Sequence, residues 1–100
     1  MELKINNQEN EILAVLVGRL DTVASTQFAI DMQPLVDNAG KTIVLNCEQL
    51  EFISSSGLRL FLTLRKATIA AGGKIIIEGM TPEVTKVFTI TGFFSLFDFR

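Results

Sequence analysis

The chain has 100 residues, enough for one small domain with one hydrophobic core. Nine Lys and Arg stand against 11 Asp and Glu, a net charge of −2, so the clustered positive charge that nucleic-acid binding requires is missing and no nucleic-acid partner is expected. Histidine is absent and Cys47 is the only cysteine, which excludes the commonest general base, an internal disulfide and a CxxC redox or zinc site, so we expect neither metal nor cofactor.

The chain opens with two predicted strands. Leu3 and Ile5 alternate with polar residues, which predicts a half-buried strand, and the polar residues 6–10 predict a turn. Residues 12–17 are apolar at consecutive positions, a pattern typical of a strand covered on both faces. Gly18 is expected to end this second strand.

The next segment has helical periodicity over residues 23–39. Asp21 or Thr22 can cap its start, and Gly40 can end it. Pro34 lies inside the segment and should kink the helix or split it. The apolar positions recur at intervals of three and four residues: Phe28, Met32, Leu35, Val36 and Ala39.

Two further strand and helix pairs follow. Residues 42–47 predict a buried strand, residues 48–51 a polar loop, and the stretch after Ser54-Ser55-Ser56-Gly57 a helix that ends at Gly72-Gly73. Residues 75–77 predict a strand, and Thr81 and Pro82 the cap and first turn of a third helix.

The last predicted element is a strand near residues 96–99, inside a tail that carries four phenylalanines. Strands therefore alternate with helices along the chain. This order predicts an α/β fold: a single domain over residues 1–100, with a mixed central sheet and helices packed against it.

The sequence also carries expectations about location. A single unpaired cysteine fits a reducing compartment, and the N-terminus is polar within two residues, unlike a signal peptide. The longest apolar run, residues 12–17, is far shorter than the roughly 20 residues of a membrane helix. We therefore expect a soluble cytoplasmic protein with no membrane insertion.

The serines at residues 54–56 lie where a loop meets a predicted helix. A helix N-terminus offers free N–H groups and partial positive charge, which favour an anion there. A phosphoryl group on a serine would add a charge of about −1.5 to −2 at this position. The alternative is a plain serine cap with no further role.

Asp21 follows the long buried strand and is the second candidate site residue. Loops at the carboxyl ends of parallel strands gather on one edge of the sheet, where ligands tend to bind. If the strands that lead to Asp21 and Ser56 are parallel neighbours, the two residues approach each other. The alternative is that Asp21 only caps the first helix.

The sequence lacks the residue combinations of the common catalytic sites. Ser56 lacks a histidine base, and no glycine-rich loop carries the lysine of a nucleotide-binding P-loop. A nucleophilic Cys47 would need a lowered thiol pKa, and Lys41 is the only nearby cation in the sequence. We therefore expect that the protein is not an enzyme.

The motif Gly18-Arg19-Leu20-Asp21, then Ile43-Val44-Leu45-Asn46, then Phe52-Ile53-Ser54-Ser55-Ser56-Gly57-Leu58 resembles the STAS domain. Among STAS domains, the sequence is similar to the bacterial anti-sigma factor antagonists. The resemblance covers nearly the whole chain, including the Gly-Gly-Lys at residues 72–74 and the segment 88–93.

The resemblance implies a partner switch. In such families the unphosphorylated antagonist binds an anti-sigma factor that is also an ATP-dependent serine kinase, which frees the sigma factor for transcription. The kinase phosphorylates the serine before the glycine, here Ser56, and a PP2C-type phosphatase reverses the modification. Asp21 matches the loop aspartate that contacts the kinase. The implied partner-binding residues are Asp21, Thr22, Ser54, Ser55, Ser56, Gly57 and Leu58.

The sequence departs from the family pattern at Ser54, where members often have aspartate. This removes a negative charge beside the acceptor serine and leaves the acceptor itself in place. The departure also raises an alternative, since STAS-like domains serve as accessory subunits of lipid-transport ATPases. In that role the same surface would bind a transporter ATPase without a phosphorylation cycle.

Overall fold

The computed structural model describes residues 1–100 as alternating strands and helices, which confirms the predicted α/β class. A 3-10 turn over Phe93–Leu96 precedes the last strand. None of the helices combines the length and the apolar character needed to span a bilayer. In chain order the elements are β1 (Glu2–Asn7), β2 (Glu11–Leu20), α1 (Thr22–Asp31), α2 (Gln33–Asp37), β3 (Thr42–Ile53), α3 (Ser55–Ala71), β4 (Lys74–Glu78), α4 (Pro82–Thr91) and β5 (Asp98–Phe99).

The five strands form one mixed sheet, as predicted, and the structure places them in the order β1-β2-β3-β4-β5. β1 is antiparallel to β2, and the remaining neighbours are parallel. Every parallel connection moves one strand in the same direction, and such crossovers are right-handed. The helices therefore lie on one face of the sheet.

Three phenylalanine rings join the helices in the core beneath them. Phe28 of α1, Phe61 of α3 and Phe88 of α4 are all buried. The ring centroids of Phe28 and Phe61 lie 6.3 Å apart, and those of Phe61 and Phe88 lie 5.9 Å apart in a tilted arrangement. Such aromatic pairs contribute about 0.5–1.5 kcal/mol each beyond the area that they bury. The rings connect all three long helices.

The expectation that β2 is covered on both faces is wrong. Ile12, Ala14 and Leu16 are buried in the core, whereas Leu13 and Val17 on the opposite face are only half-buried. The reason is the common direction of the crossovers, which places no helix on that face. An apolar run in sequence does not distinguish the two situations.

The predicted ends of two strands are also wrong. β2 continues through Gly18 to Leu20, because Gly18 has φ = 100° beside a shift in register and so accommodates a bulge within the strand. The predicted polar loop over residues 48–51 belongs to β3, which continues to Ile53 paired with β2. Exposed polar side chains along this extension conceal it in the sequence.

The predicted helix over residues 23–39 is split, as Pro34 indicated. α1 ends at Asp31, and Pro34 lies in the first turn of α2, where its missing N–H is not needed. The expected end at Gly40 is wrong, since α2 stops at Asp37. The side chain of Asn38 donates a hydrogen bond to the Pro34 carbonyl at 2.8 Å and closes the helix early.

The aromatic tail is partly core. Phe97 is buried, and its ring lies 5.8 Å from Phe88. The predicted last strand is confirmed in shorter form as β5, which pairs with β4. Phe94 and Phe99 stack on each other at 4.4 Å and stay partly exposed. The tail therefore closes one end of the core.

Two adjacent glycines make a test of the fold. Gly72 ends α3 with φ = 79°, and a Cβ there would contact nothing, so Gly72→Ala should cost about 1 kcal/mol through backbone strain alone. A Cβ at Gly73 would overlap the carbonyl oxygens of Ala39 and Lys41. Gly73→Ala should therefore lower the free energy of unfolding by about 3 kcal/mol or more, as measured by urea denaturation. Equal losses for the two variants would contradict this packing.

Candidate functional site

The ends of β2 and β3 bring the predicted site residues together. The strands are parallel neighbours, with Leu20 in register with Ile53, and the Ser54 N–H donates a hydrogen bond to the Leu20 carbonyl at 2.8 Å. Asp21 and Ser54 are the first residues after their strands, so they lie side by side. We call the surface formed by Asp21, Thr22, Ser54, Ser55 and Ser56 the rim.

Asp21 caps α1, as one of the sequence alternatives predicted. Its Oδ1 accepts a hydrogen bond from the Ala24 N–H at 2.8 Å, while the Ser25 hydroxyl donates to the Asp21 carbonyl at 2.8 Å. The second carboxylate oxygen makes no hydrogen bond within the chain. The half-buried Asp21 is thus held in place and still offers an acceptor to the outside.

Ser54 caps α3 in the same way. Its Oγ accepts a hydrogen bond from the Gly57 N–H at 3.1 Å. Serine and aspartate are both favoured at this position because each presents a side-chain oxygen to the first turn. The departure from the family's aspartate therefore preserves the cap and removes only its charge.

The other two serines have free hydroxyls. Ser55 is exposed and Ser56 is half-buried at the first turn of α3, and neither side chain makes a hydrogen bond within the chain. The backbone N–H groups of the first helical residues lack partners in their own helix. Ser56 thus presents a free hydroxyl beside unpaired donors.

Gly57 and Leu58 lie beneath the rim and take no part in its exposed surface. Leu58 is 2% exposed and belongs to the core, so its side chain supports the rim from beneath. Gly57 is buried too, because a Cβ there would lie 2.8 Å from Leu20 Cγ and 2.9 Å from Ile53 Cγ1. Both residues set how closely α3 packs on the two strand ends.

The start of α3 is electrostatically suited to an anion. Its first turn has no acidic residue, and the helix dipole places partial positive charge there. Arg59 is exposed, makes no ion pair and lies three residues after Ser56, on the same side of the helix. Arg59 is not among the residues predicted from sequence, although this helical spacing is a signal that could have indicated it.

Cys47 is not an activated nucleophile. Burial raises the pKa of its thiol to about 12, and the nearby negative charge of Glu78 adds to the shift. A nucleophilic cysteine requires a lowered thiol pKa, and the shift at Cys47 is in the opposite direction. No three His, Cys, Asp or Glu side chains form a group that could hold a metal ion.

The family of the chain follows from its match to known sequences. The family model of the STAS domain matches residues 2–100. The chain therefore belongs to the STAS domain family, as its motifs indicated.

Relatives within this family are named for one regulatory role. BtrV of Bordetella bronchiseptica, provisionally named an anti-sigma factor antagonist, is 30% identical over 97 residues, which cover 97% of this chain and 84% of that protein. The Bacillus cell fate determinant SpoIIAA in its phosphorylated form is 25% identical with a TM-score of 0.73, covering 99% of this chain and 91% of that one.

Two further solved structures show the same fold. Unphosphorylated SpoIIAA, named an anti-sigma factor antagonist, is 26% identical with a TM-score of 0.70 over 89% of this chain and 83% of that one. A Thermotoga maritima protein, also provisionally named an anti-sigma factor antagonist, has a TM-score of 0.86 at 16% identity, covering 97% of this chain and 84% of that one. At this low identity the second comparison supports the fold alone.

The cap role of Ser54 is open to measurement. Ser54→Ala should lower the free energy of unfolding by about 1 kcal/mol, because the Gly57 N–H loses its acceptor. Ser54→Asp restores an acceptor and should recover the loss, while Ser55→Ala should change stability by less than about 0.5 kcal/mol. Chemical denaturation of the three variants measures this order. An unchanged free energy of unfolding in Ser54→Ala would show that stability does not depend on the cap.

The Cys47 thiol should be inert in the folded chain. A pKa of about 12 in place of 9.0 leaves about 1,000-fold less thiolate at pH 8, so an aromatic disulfide reagent should label the folded chain far more slowly than the chain in urea. The free energy of unfolding should fall as pH rises from about 9 to about 12, because only the unfolded chain loses the thiol proton. Cys47→Ala should lack this thiol-linked fall. Rapid labelling of the folded chain would contradict the burial.

Proposed function

We propose that this protein is an anti-sigma factor antagonist controlled by phosphorylation of Ser56. Its unphosphorylated form binds an anti-sigma factor that is also a serine kinase, and this binding releases a sigma factor. The observation that carries the proposal is the free hydroxyl of Ser56 on the same rim as the fixed carboxylate of Asp21. The names of the relatives and the phosphorylated form of SpoIIAA support it.

Hydrogen bonding distinguishes Ser56 from the serine at position 54. Ser54 uses its oxygen as the α3 cap, so modification there would remove an interaction of the fold. Ser56 makes no such contact and directly precedes Gly57, which is the acceptor position in the family motif. Ser55 is free as well, and its substitution provides a matched control.

The proposed switch is a reversible transfer of one phosphoryl group. The kinase moves the γ-phosphoryl of ATP to Ser56 Oγ, so the hydroxyl loses its proton and ADP leaves. A PP2C-type phosphatase hydrolyses the phosphoserine, which restores the hydroxyl and releases inorganic phosphate. Both catalytic machineries belong to the partners, so the chain itself acts as a binding protein and not as an enzyme.

The phosphate acts on the interface rather than on the fold. A phosphoserine carries a charge of about −1.5 to −2, and burying it without a matched partner costs several kcal/mol. Since each 1.4 kcal/mol corresponds to about a tenfold change in affinity, this cost weakens binding by orders of magnitude. Within the chain, the start of α3 and the unpaired Arg59 favour the added charge, so the domain stays folded in both states.

The switch works where sigma factors act. The partners act on the transcription machinery, so the protein works in the cytoplasm, without membrane insertion, nucleic-acid binding or a cofactor of its own. Residues 1–100 form the one domain that carries the switch. The partner contacts are the rim residues Asp21, Thr22, Ser54, Ser55 and Ser56, supported from below by Gly57 and Leu58.

Binding by two Ser56 variants tests the proposal. Ser56→Ala should bind the kinase constitutively, and Ser56→Asp should bind at least tenfold more weakly because it carries a fixed charge on the rim. Isothermal titration against the purified anti-sigma factor kinase measures both affinities. Ser55→Asp places the same charge on the neighbouring rim residue, and it should weaken binding less than Ser56→Asp does. Equal affinities for Ser56→Ala and Ser56→Asp would reject the switch.

The phosphorylation itself is tested on the chain purified from its native cells. Intact mass and peptide mapping of the purified chain should show one phosphoryl group on Ser56, and the unmodified fraction should retain a serine-kinase anti-sigma factor. Finding no phosphate under any growth condition, with a transporter ATPase bound instead, would replace the proposal with the accessory-subunit function.

A further inference from the structure

Helix α1 exposes an apolar stripe next to the rim. Val23 is 84% exposed and Ile30 is 65% exposed, although both are large aliphatic side chains. They are seven residues apart, so they lie on one side of the helix at about 10 Å from each other. Thr26 and Gln27, both exposed, lie between them.

The stripe carries no charge along its length. α1 has no acidic residue in its first turn and no basic residue in its last turn, and Asp31 at its end is its only charged side chain. The opposite side of the helix packs on the domain through the buried Phe28 and Ser25 and the partly buried Ala24. The fold therefore gives the outer stripe no partner.

The stripe is continuous with the rim. Thr22, Val23, Thr26 and Gln27 line one shallow depression on the surface, and Thr22 is itself a rim residue. The Asp21 side chain caps the helix on which the stripe lies. A molecule that covers the rim therefore meets Val23 within the first turn of α1.

We propose that the α1 stripe, centred on Val23 and Ile30, docks on the same anti-sigma factor that binds the rim. This inference rests on the proposed function and adds a division of labour within it. The stripe provides apolar contact that does not change with phosphorylation, and Ser56 provides the contact that does. Interfaces of this kind combine a few buried apolar anchors with a polar margin.

The size of the stripe argues against a second copy of the chain as its occupant. A stable specific interface buries about 800 Å² per partner. Two side chains and the depression beside Val23 provide only part of that area, so the stripe needs the adjoining rim to complete an interface. The partner that covers the rim is the anti-sigma factor.

The test replaces both aliphatic side chains with a neutral helix-forming residue. The double variant Val23→Gln/Ile30→Gln removes the apolar contact without adding charge beside Asp21. The matched control is Ile69→Gln/Ile90→Gln, whose isoleucines are 62% and 74% exposed near the far ends of α3 and α4. Circular dichroism should show equal helix content and thermal stability in both double variants.

Titration compares the variants in the Ser56→Ala background. The probe is the purified serine-kinase anti-sigma factor that the Ser56→Ala chain retains from its native cells. The stripe variant should bind it at least tenfold more weakly, and the control should bind within twofold of the unchanged chain. An affinity equal to that of the unchanged chain, or an equal loss in both double variants, would overturn the inference.

The outcomes separate this inference from the proposed function. If the stripe variant binds normally while Ser56→Asp still abolishes binding, the switch stands and the stripe has no part in it. If the chain retains no kinase at all, both fail. If ultracentrifugation shows a dimer that the stripe variant dissociates, the stripe belongs to a second copy and the inference is overturned.

Discussion

The parallel pairing of β2 and β3 beyond Gly18 is the constraint on which the site depends. This pairing places Leu20 opposite Ile53. Directly after β3, the Ser54 N–H donates a hydrogen bond to the Leu20 carbonyl and so holds the two strand ends together. Because α1 and α3 both begin directly after these strands, two helix N-termini meet at one edge of the sheet. A shorter pairing would leave the Asp21 carboxylate and the Ser56 hydroxyl on separate loops. The extended pairing of β2 and β3 therefore brings the Asp21 cap of α1 and the Ser54 cap of α3 together in one surface.

The domain separates the residues that hold it together from the residues that face a partner. The core is formed on one side of the sheet by aliphatic strand residues and by the rings of Phe28, Phe61 and Phe88. Gly57 and Leu58 lie between the rim and that core. A charge added at the rim therefore has little leverage on packing, which suits a protein that must stay folded in two modification states. Because the core is complete without them, α1 can expose aliphatic side chains without weakening the packing of the domain.

Sequence patterns predicted the elements well and their ends poorly. Apolar runs, apolar periodicity and helix caps marked the strands and long helices, and Pro34 correctly marked the split between α1 and α2. The polar extension of β3 was missed because its side chains are mostly exposed, and pairing with β2 is a long-range property that no local pattern carries. For the same reason the nearness of Asp21 to Ser56 could only be stated conditionally. The burial of Leu58 was not predicted, because the helix motif does not reveal which side faces the core.

The positions of residues 1 and 100 have a practical consequence for any engineered fusion. Residue 1 lies against Gly18, two residues before the end of β2, so a tag or second domain joined there would stand beside the rim and screen it. The backbone of Arg100 is held at Ile77, in register with Leu45, eight residues before the end of β3. Eight strand residues span roughly 25 Å, so Arg100 lies about that far from the rim end of β3. A fluorescent label or an immobilising anchor therefore belongs beside Arg100, where it leaves the rim accessible.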